Sequence, residues 1–226
     1  MKRIDRSEYL QLLSSATVIE RDANGEKVLA LQDGRLVKLF RRKRWLSSAL
    51  FFPYASRFVR NAGILAERDI LTVKILAVAY CTAVERHMVT YRPLPGKTLR
   101  QALASSKPDR SRLLAEFAHF VADLHRNGVY FRSLHFGNVI VPGVGQKLGL
   151  IDIADMSFHR SALPVRLRAR NFKHMLRYRE DVGYLEEFGS RRFLDQYLAA
   201  ARLDVRDRKN FLTCLAGLQE EFLRAV

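Results

Sequence analysis

The chain has 226 residues, 48% of them hydrophobic and 27% charged, with a formal net charge of +16. That length holds one large domain or two lobes around a sizeable core, and the hydrophobic fraction excludes a chain disordered over most of its length. Two cysteines, Cys81 and Cys214, exclude a disulfide framework and read as buried free thiols of a reducing compartment.

In chain order, Met1 to Arg6 carries charge with no apolar stretch behind it, and no apolar run is long enough to span a bilayer. The expectation is a cytoplasmic or peripheral protein. A short helical segment is followed by β-like runs over Ala16 to Arg21, Lys27 to Leu31 and Arg35 to Phe40. Asn24-Gly25 and Asp33-Gly34 turn the chain between them, so three antiparallel strands are predicted. Arg57 to Arg68 has helical spacing, with Phe58, Ala62 and Leu65 on one face. Ile70 to Val84 reads as a buried strand with its flanks, centred on Ile75 to Ala79, and His87 to Tyr91 as the next strand.

Beyond Pro93-Leu94-Pro95-Gly96 the character changes to helix. Thr98 caps Leu99 to Ala104, and a helix begun at Asp109 or Ser111 carries the stripe Leu113, Leu114, Phe117, Phe120, Val121, Leu124 before ending at Gly128. Val139 to Val141 and Lys147 to Ile153 are short strands around a turn at Pro142 to Gln146. The remainder reads as amphipathic helices, the last over Asn210 to Ala225. Residues 1–92 thus form a β-rich part with one helix, and 93–226 a helical part.

One stretch is denser in chemistry than the rest. Tyr130-Phe131-Arg132-Ser133-Leu134-His135-Phe136-Gly137-Asn138 runs into an apolar strand, and Leu150-Ile151-Asp152 ends another strand fourteen residues after Asn138. With Leu124-His125 and Gly128 upstream, the stretch resembles the LH-x-x-G-[hydrophobic]-x-H-G-D-L-H-x-G-N pattern of small-molecule and lipopolysaccharide kinases. It is most similar to the short lipopolysaccharide core kinases of Gram-negative bacteria, including the toluene-tolerance branch, from about Val18 to about Arg179.

The resemblance implies an α+β, two-lobed protein-kinase-like fold whose β-rich N-lobe and helical C-lobe together make one kinase-like domain. It implies that Asn138 and Asp152 hold Mg²⁺, that Lys38, on the third strand, pairs with the ATP phosphates, and that Tyr91 lies in the hinge from Val89 to Leu94 that meets adenine. Pro93-Leu94-Pro95-Gly96-Lys97 is similar to a turn of these kinases. The helical partner of Lys38 is either Glu67, near the end of its helix, or Asn61 at the centre. The loop expected to cover the phosphates, Arg21 to Glu26, has a single glycine.

The main departure is Ser133, which stands where the pattern has the catalytic aspartate; a serine hydroxyl has no useful basicity near neutral pH. Either transfer passes through a loose transition state in which positioning outweighs base catalysis, or His135 is the base, or the chain is a pseudokinase acting as a nucleotide-binding or scaffold protein. His135 equally suits contact with phosphate. Ala154 replaces a glycine of the magnesium motif, Asp155 reads as a second ligand or an exposed turn residue, and Phe131 as an anchor beneath the loop.

The implied reaction is transfer of the ATP γ-phosphoryl to a sugar of the lipopolysaccharide inner core, a heptose. The expected partners are that anionic glycan and the anionic cytoplasmic face of the inner membrane, which Arg41-Arg42-Lys43-Arg44 followed by Leu46, Leu50, Phe51 and Phe52 would suit. The basic stretch from Arg160 to Arg179 reads either as an anion-facing surface or as a solvated face. No zinc-finger spacing, aromatic RNA-binding motif or recognition helix supports a nucleic-acid partner.

Overall fold

A computed structural model describes residues 1–23, 25–41, 54–143 and 145–223. The chain divides into two compact units, Met1–Leu94 and Pro95–Val226.

The first unit contains β1 (Lys2–Ile4), α1 (Arg6–Ser14), β2 (Thr17–Asp22), β3 (Gly25–Ala30), β4 (Leu36–Arg41), α2 (Tyr54–Glu67), β5 (Leu71–Thr72), β6 (Lys74–Cys81) and β7 (Arg86–Arg92). The expected three-stranded meander is part of a larger sheet, ordered β1-β6-β7-β4-β3-β2, in which β1 runs parallel to β6. β1 spans only Lys2–Ile4, too short for a period-two signal, so its pairing is a tertiary fact. The Asn24 half of the first turn signal lies outside the described residues; Gly25, at φ 104°, closes the hairpin opposite Asp22.

The run Ile70 to Val84 is not the buried strand expected. Ile70, Val73 and Cys81 are buried, but Leu76 is 40% exposed. β6 has only the short β1 on its outer side, and a uniformly apolar run does not reveal which of its residues face solvent.

Alternation along β4 gives the sheet two working faces. Val37 and Leu39 join Leu29, Cys81 and Met88 against Tyr9 of α1. Phe40 and Tyr91 instead lie against Phe58 of α2, at ring-centroid distances of 5.7 and 5.6 Å. α1 begins with a reciprocal cap: Asp5 accepts from the Glu8 N–H at 2.8 Å and Glu8 accepts from the Asp5 N–H at 3.0 Å.

The second unit contains β8 (Lys97–Thr98), α3 (Leu99–Ser105), α4 (Arg110–Arg126), β9 (Val129–Phe131), a one-turn 3-10 helix (Phe136–Asn138), β10 (Val139–Val141), β11 (Gly149–Leu150), β12 (Met156–Phe158), α5 (Val165–Met175), α6 (Arg179–Phe188), α7 (Ser190–Ala200) and α8 (Val205–Leu223). Thr98 caps α3 as expected, with Gln101 completing a capping box. Asp109 occupies the N-cap of α4 without capping it; its carboxylate holds Ser106 and Arg112 instead.

The α4 stripe buries Leu113, Leu114, Phe117, Val121 and Leu124, each contributing roughly 1.5–3 kcal/mol. Phe172 of α5 meets Tyr197 of α7 and Phe211 of α8 edge-on, at 4.8 and 5.4 Å. α8 starts at Val205, five residues before the expected Asn210, because the approach to its apolar stretch is highly charged. Cys81 is buried, whereas Cys214 on α8 is only half-buried.

Two glycines have conformations that no side chain could replace. Gly96, at φ 126°, would put a Cβ 2.2 Å from the Val141 carbonyl oxygen, and Gly128, at φ 66°, would put one 2.4 Å from that of Ser161. The first lets β8 pair with β10 and the second lets α4 turn into β9.

Candidate active site

The loop from Phe131 to Asp152 is assembled from short pairings. β9 pairs with β12 in the register Met156↔Phe131, and β10 pairs with β11 in the register Val139↔Leu150. β12 was absent from the expected elements, and the predicted strand Lys147 to Ile153 is reduced to Gly149–Leu150. The Ile151 N–H continues the contact to the Asn138 carbonyl at 3.0 Å, and the next residue turns sharply. Asp152 has φ 53°, a left-handed conformation that an L-residue adopts at a cost of about 1–2 kcal/mol. Asp152 is exposed, one residue beyond the backbone contact to Asn138.

Asn138 is nearly buried, and its amide nitrogen donates to the Ser133 carbonyl at 2.9 Å. The side-chain nitrogen is therefore committed to the loop, and Oδ1 is the acceptor of the same amide. Ser133 is half-buried on the same loop. Among the described residues no cluster of three or more His, Cys, Asp or Glu could hold a metal. An amide oxygen and one strained carboxylate nevertheless fit Mg²⁺, which keeps several waters and takes substrate phosphates as ligands.

His135 lies beside this pair. Burial pushes its imidazole pKa below the usual value; the Asp181 carboxylate raises it and the Arg100 guanidinium lowers it further. Nδ1 is buried without a hydrogen-bond partner, and the ring stands edge-on to Tyr178 with centroids 4.8 Å apart. Asp155 is neither a free ligand nor simply exposed: its carboxylate pairs with Arg132, and its carbonyl accepts the Arg132 N–H at 3.2 Å.

Below the loop are residues that sequence reasoning missed. Asp181, fully buried on α6, accepts two bonds from Arg100, at 2.8 and 3.0 Å, and the Phe136 backbone N–H at 3.0 Å. Asn171, on α5, donates to the Phe131 carbonyl at 2.7 Å while its Oδ1 lies 3.2 Å from His125 Nε2. His125 Nδ1 is 2.8 Å from the Tyr197 hydroxyl. Burial lowers the His125 pKa to about 3 and raises that of Tyr197 to about 12, so both are neutral in the folded protein. Phe131 is fully buried above this network.

A signal for Asn171 existed. It shares a buried face with Phe172 and Met175, apolar residues interleaved with the basic ones of this stretch. Arg168 of the same stretch is buried, donating to the Leu163 and Ala201 carbonyls, so part of the basic run is structural.

In the first unit, Lys38 pairs with Val28 and Val89 across the sheet, its ammonium 5.6 Å from the centroid of Phe58. The centre of α2 carries buried Asn61, while Glu67, its last residue, is exposed. The Tyr91 ring is buried against Phe58. Most of the basic-apolar segment Arg41 to Phe52 lies outside the described residues.

No protein-family model matches the chain, and no curated protein matches it. The chain is similar to the solved structure of WaaP in complex with acyl carrier protein, with TM-score 0.60 and 20% identity, over 95% of this chain and 92% of that one. The fold is the two-lobed protein-kinase-like fold. The co-crystal structure of WbdD with the kinase inhibitor LY294002 gives TM-score 0.49 and 18% identity over 85% of this chain and 42% of that one. At such identities the likeness is one of fold, and function has to be argued from the site. Among the described residues no helix is long and apolar enough to cross a membrane.

Proposed function

We propose that the protein is a Mg²⁺-dependent kinase that transfers the γ-phosphoryl of ATP to a sugar hydroxyl of an anionic glycan, a heptose of the lipopolysaccharide inner core. The observation that carries this reading is the pairing of Asn138, its amide nitrogen committed to Ser133, with the left-handed Asp152 one residue past the Ile151–Asn138 backbone bond. Strain of this kind persists only where surrounding structure enforces it, and it concentrates at reactive positions.

In this reading Asn138 Oδ1 and Asp152 hold Mg²⁺, which when bound neutralises charge on the β- and γ-phosphates. Lys38 takes the α- and β-phosphates, with buried Asn61 as its candidate helix partner, and Tyr91 marks the hinge beside adenine. Ser133 accepts or donates one hydrogen bond to orient the acceptor hydroxyl. His135, held neutral by its burial, is the group able to receive the proton if transfer needs a base. A loose transition state makes the demand on that base small, so positioning is the larger contribution. The acceptor glycan and an anionic membrane surface on the cytoplasmic side suit a chain of net charge +16.

Ser133 favours a second reading, a pseudokinase that binds nucleotide without transferring phosphate. The two separate on one assay: incubation with radiolabelled ATP, Mg²⁺ and a dephosphorylated core oligosaccharide. Label on the sugar that disappears with Asp152→Ala supports the kinase; ATP bound with no label on any core acceptor supports the pseudokinase.

A further inference from the structure

A cavity with a cationic lining lies along α5. Arg166, Arg170 and Lys173 project from one face of the helix at spacings of four and three residues, and with Ala169 and Cys214 of α8 they line an open cavity of about 350 Å³. Ala169 is almost fully buried and Cys214 half-buried, so the cavity has a small apolar floor under a cationic rim. The three cations span two helical turns, about 10 Å along the axis. None of the lining residues is acidic.

Six arginines of this unit are matched with carboxylates. Arg100 holds Asp181, Arg110 holds Glu187, Arg112 holds Asp109 and Glu116, Arg126 holds Asp123, Arg132 holds Asp155 and Arg191 holds Asp195. Arg166 and Arg170 form no salt bridge among the described residues. Like charges gathered around a concavity repel one another, and the arrangement is relieved when an anion enters. The volume falls within the range of small-ligand sites. The guanidinium fork matches phosphoryl oxygens in two parallel hydrogen bonds, which a spherical anion such as chloride cannot accept.

We infer that the groove between α5 and α8 is a binding site for phosphoryl groups, with Arg166 and Arg170 as its principal ligands and Cys214 at its floor. The site shares no residue with those assigned to phosphoryl transfer, so it stands or falls independently of that reading. The phosphoryl group comes either from a free small molecule or from a phospholipid headgroup, which present the same oxygens.

Cys214 reports occupancy, and buried Cys81 in the other unit is the internal control. The full-length protein is labelled with iodoacetamide and the rate at Cys214 is read by peptide mass spectrometry at constant ionic strength. The additions are inorganic pyrophosphate, potassium chloride, and vesicles of phosphatidylglycerol or of phosphatidylcholine. Pyrophosphate should slow labelling saturably, by about tenfold at ten times its Kd. The protection should vanish in Arg166→Gln/Arg170→Gln, two exposed positions whose change leaves the thermal midpoint in place, and persist in Asp152→Ala. Protection by phosphatidylglycerol vesicles but not by pyrophosphate also supports the site and assigns the source to lipid. The inference is overturned if neither probe protects, if chloride protects equally, if the double variant keeps the protection, or if Asp152→Ala abolishes it.

Discussion

The underside of the loop and its exposed edge are built on opposite principles. Beneath, a chain of polar groups is paired with buried partners: the Phe131 carbonyl meets Asn171, Asn171 meets His125, His125 meets Tyr197, and the Phe136 N–H meets Asp181. Along the edge, Asp152 is exposed in a strained conformation and Ser133 stands where the resemblance calls for a carboxylate. A buried network rigidifies when fully satisfied and is costly when it is not. The loop thus holds its backbone by means independent of the side chain at 133, so a serine there leaves the supporting network untouched. That is what a site working by positioning requires.

The largest effect should come from the edge. Asp152→Gly removes the carboxylate and the left-handed strain together. Phosphoryl transfer should fall by at least about a thousandfold, the loss expected when several kcal/mol of charge stabilisation disappears. Folding stability should rise by roughly 1 kcal/mol as the strain is released. Urea unfolding beside the transfer assay reads both; an active Asp152→Gly protein would remove this residue from the site.

Asp181→Ala should break the underside. It leaves the buried Phe136 N–H without its acceptor and Arg100, whose side chain is 27% exposed, with Glu180 at 3.4 Å as its remaining carboxylate, at a cost of about 1–3 kcal/mol. Asp181→Asn, which keeps an acceptor of the same shape, should recover part of that stability and restore nucleotide binding further than the alanine does. Equal unfolding midpoints for wild type and Asp181→Ala would contradict the anchoring role.

A pH titration isolates the network beneath Phe131. The folded His125 pKa is about 3, against about 6.5 unfolded, so between those values the unfolded chain binds the additional proton. Stability from this group is therefore complete above about pH 6.5 and declines as pH falls toward 3, by a few kcal/mol in total. Burial shifts His135 and His174 in the same direction, so His125→Gln should flatten the fall in thermal midpoint between neutral and acid pH without abolishing it. An unchanged slope would exclude His125 as a source.

The smallest effect belongs to Ser133. One orienting hydrogen bond contributes about 1 kcal/mol, so Ser133→Ala should slow transfer by five- to tenfold and leave nucleotide affinity alone. A loss as large as that at Asp152 would mean that the serine does more than orient the acceptor.

The two-lobe plan was legible because its signals are local: hairpin glycines, the α4 stripe and the Thr98 cap each act within a few residues. β1, β12 and the exposure of β6 were not, since each depends on a partner strand distant in sequence. Asn138 and Asp152, the residues the proposed metal site rests on, stand out in the sequence by their spacing around two short strands. Asp181 did not, because Arg179-Glu180-Asp181 reads as an ordinary charged helix start, and only packing distinguishes buried Asp181 from exposed Glu180. Asn171 was hidden in the same way by the arginines around it.

Mg²⁺-dependent binding of ATP, followed by thermal stabilisation of the full chain, tests most directly the claim that this edge is a working nucleotide site. A ligand that binds the folded state must raise the midpoint by mass action. A saturable rise is expected with ATP and Mg²⁺ together, a smaller one with ATP alone, and loss of the magnesium-dependent part in Asp152→Ala. No rise at millimolar ATP and Mg²⁺, or the same rise in that variant, would contradict that claim.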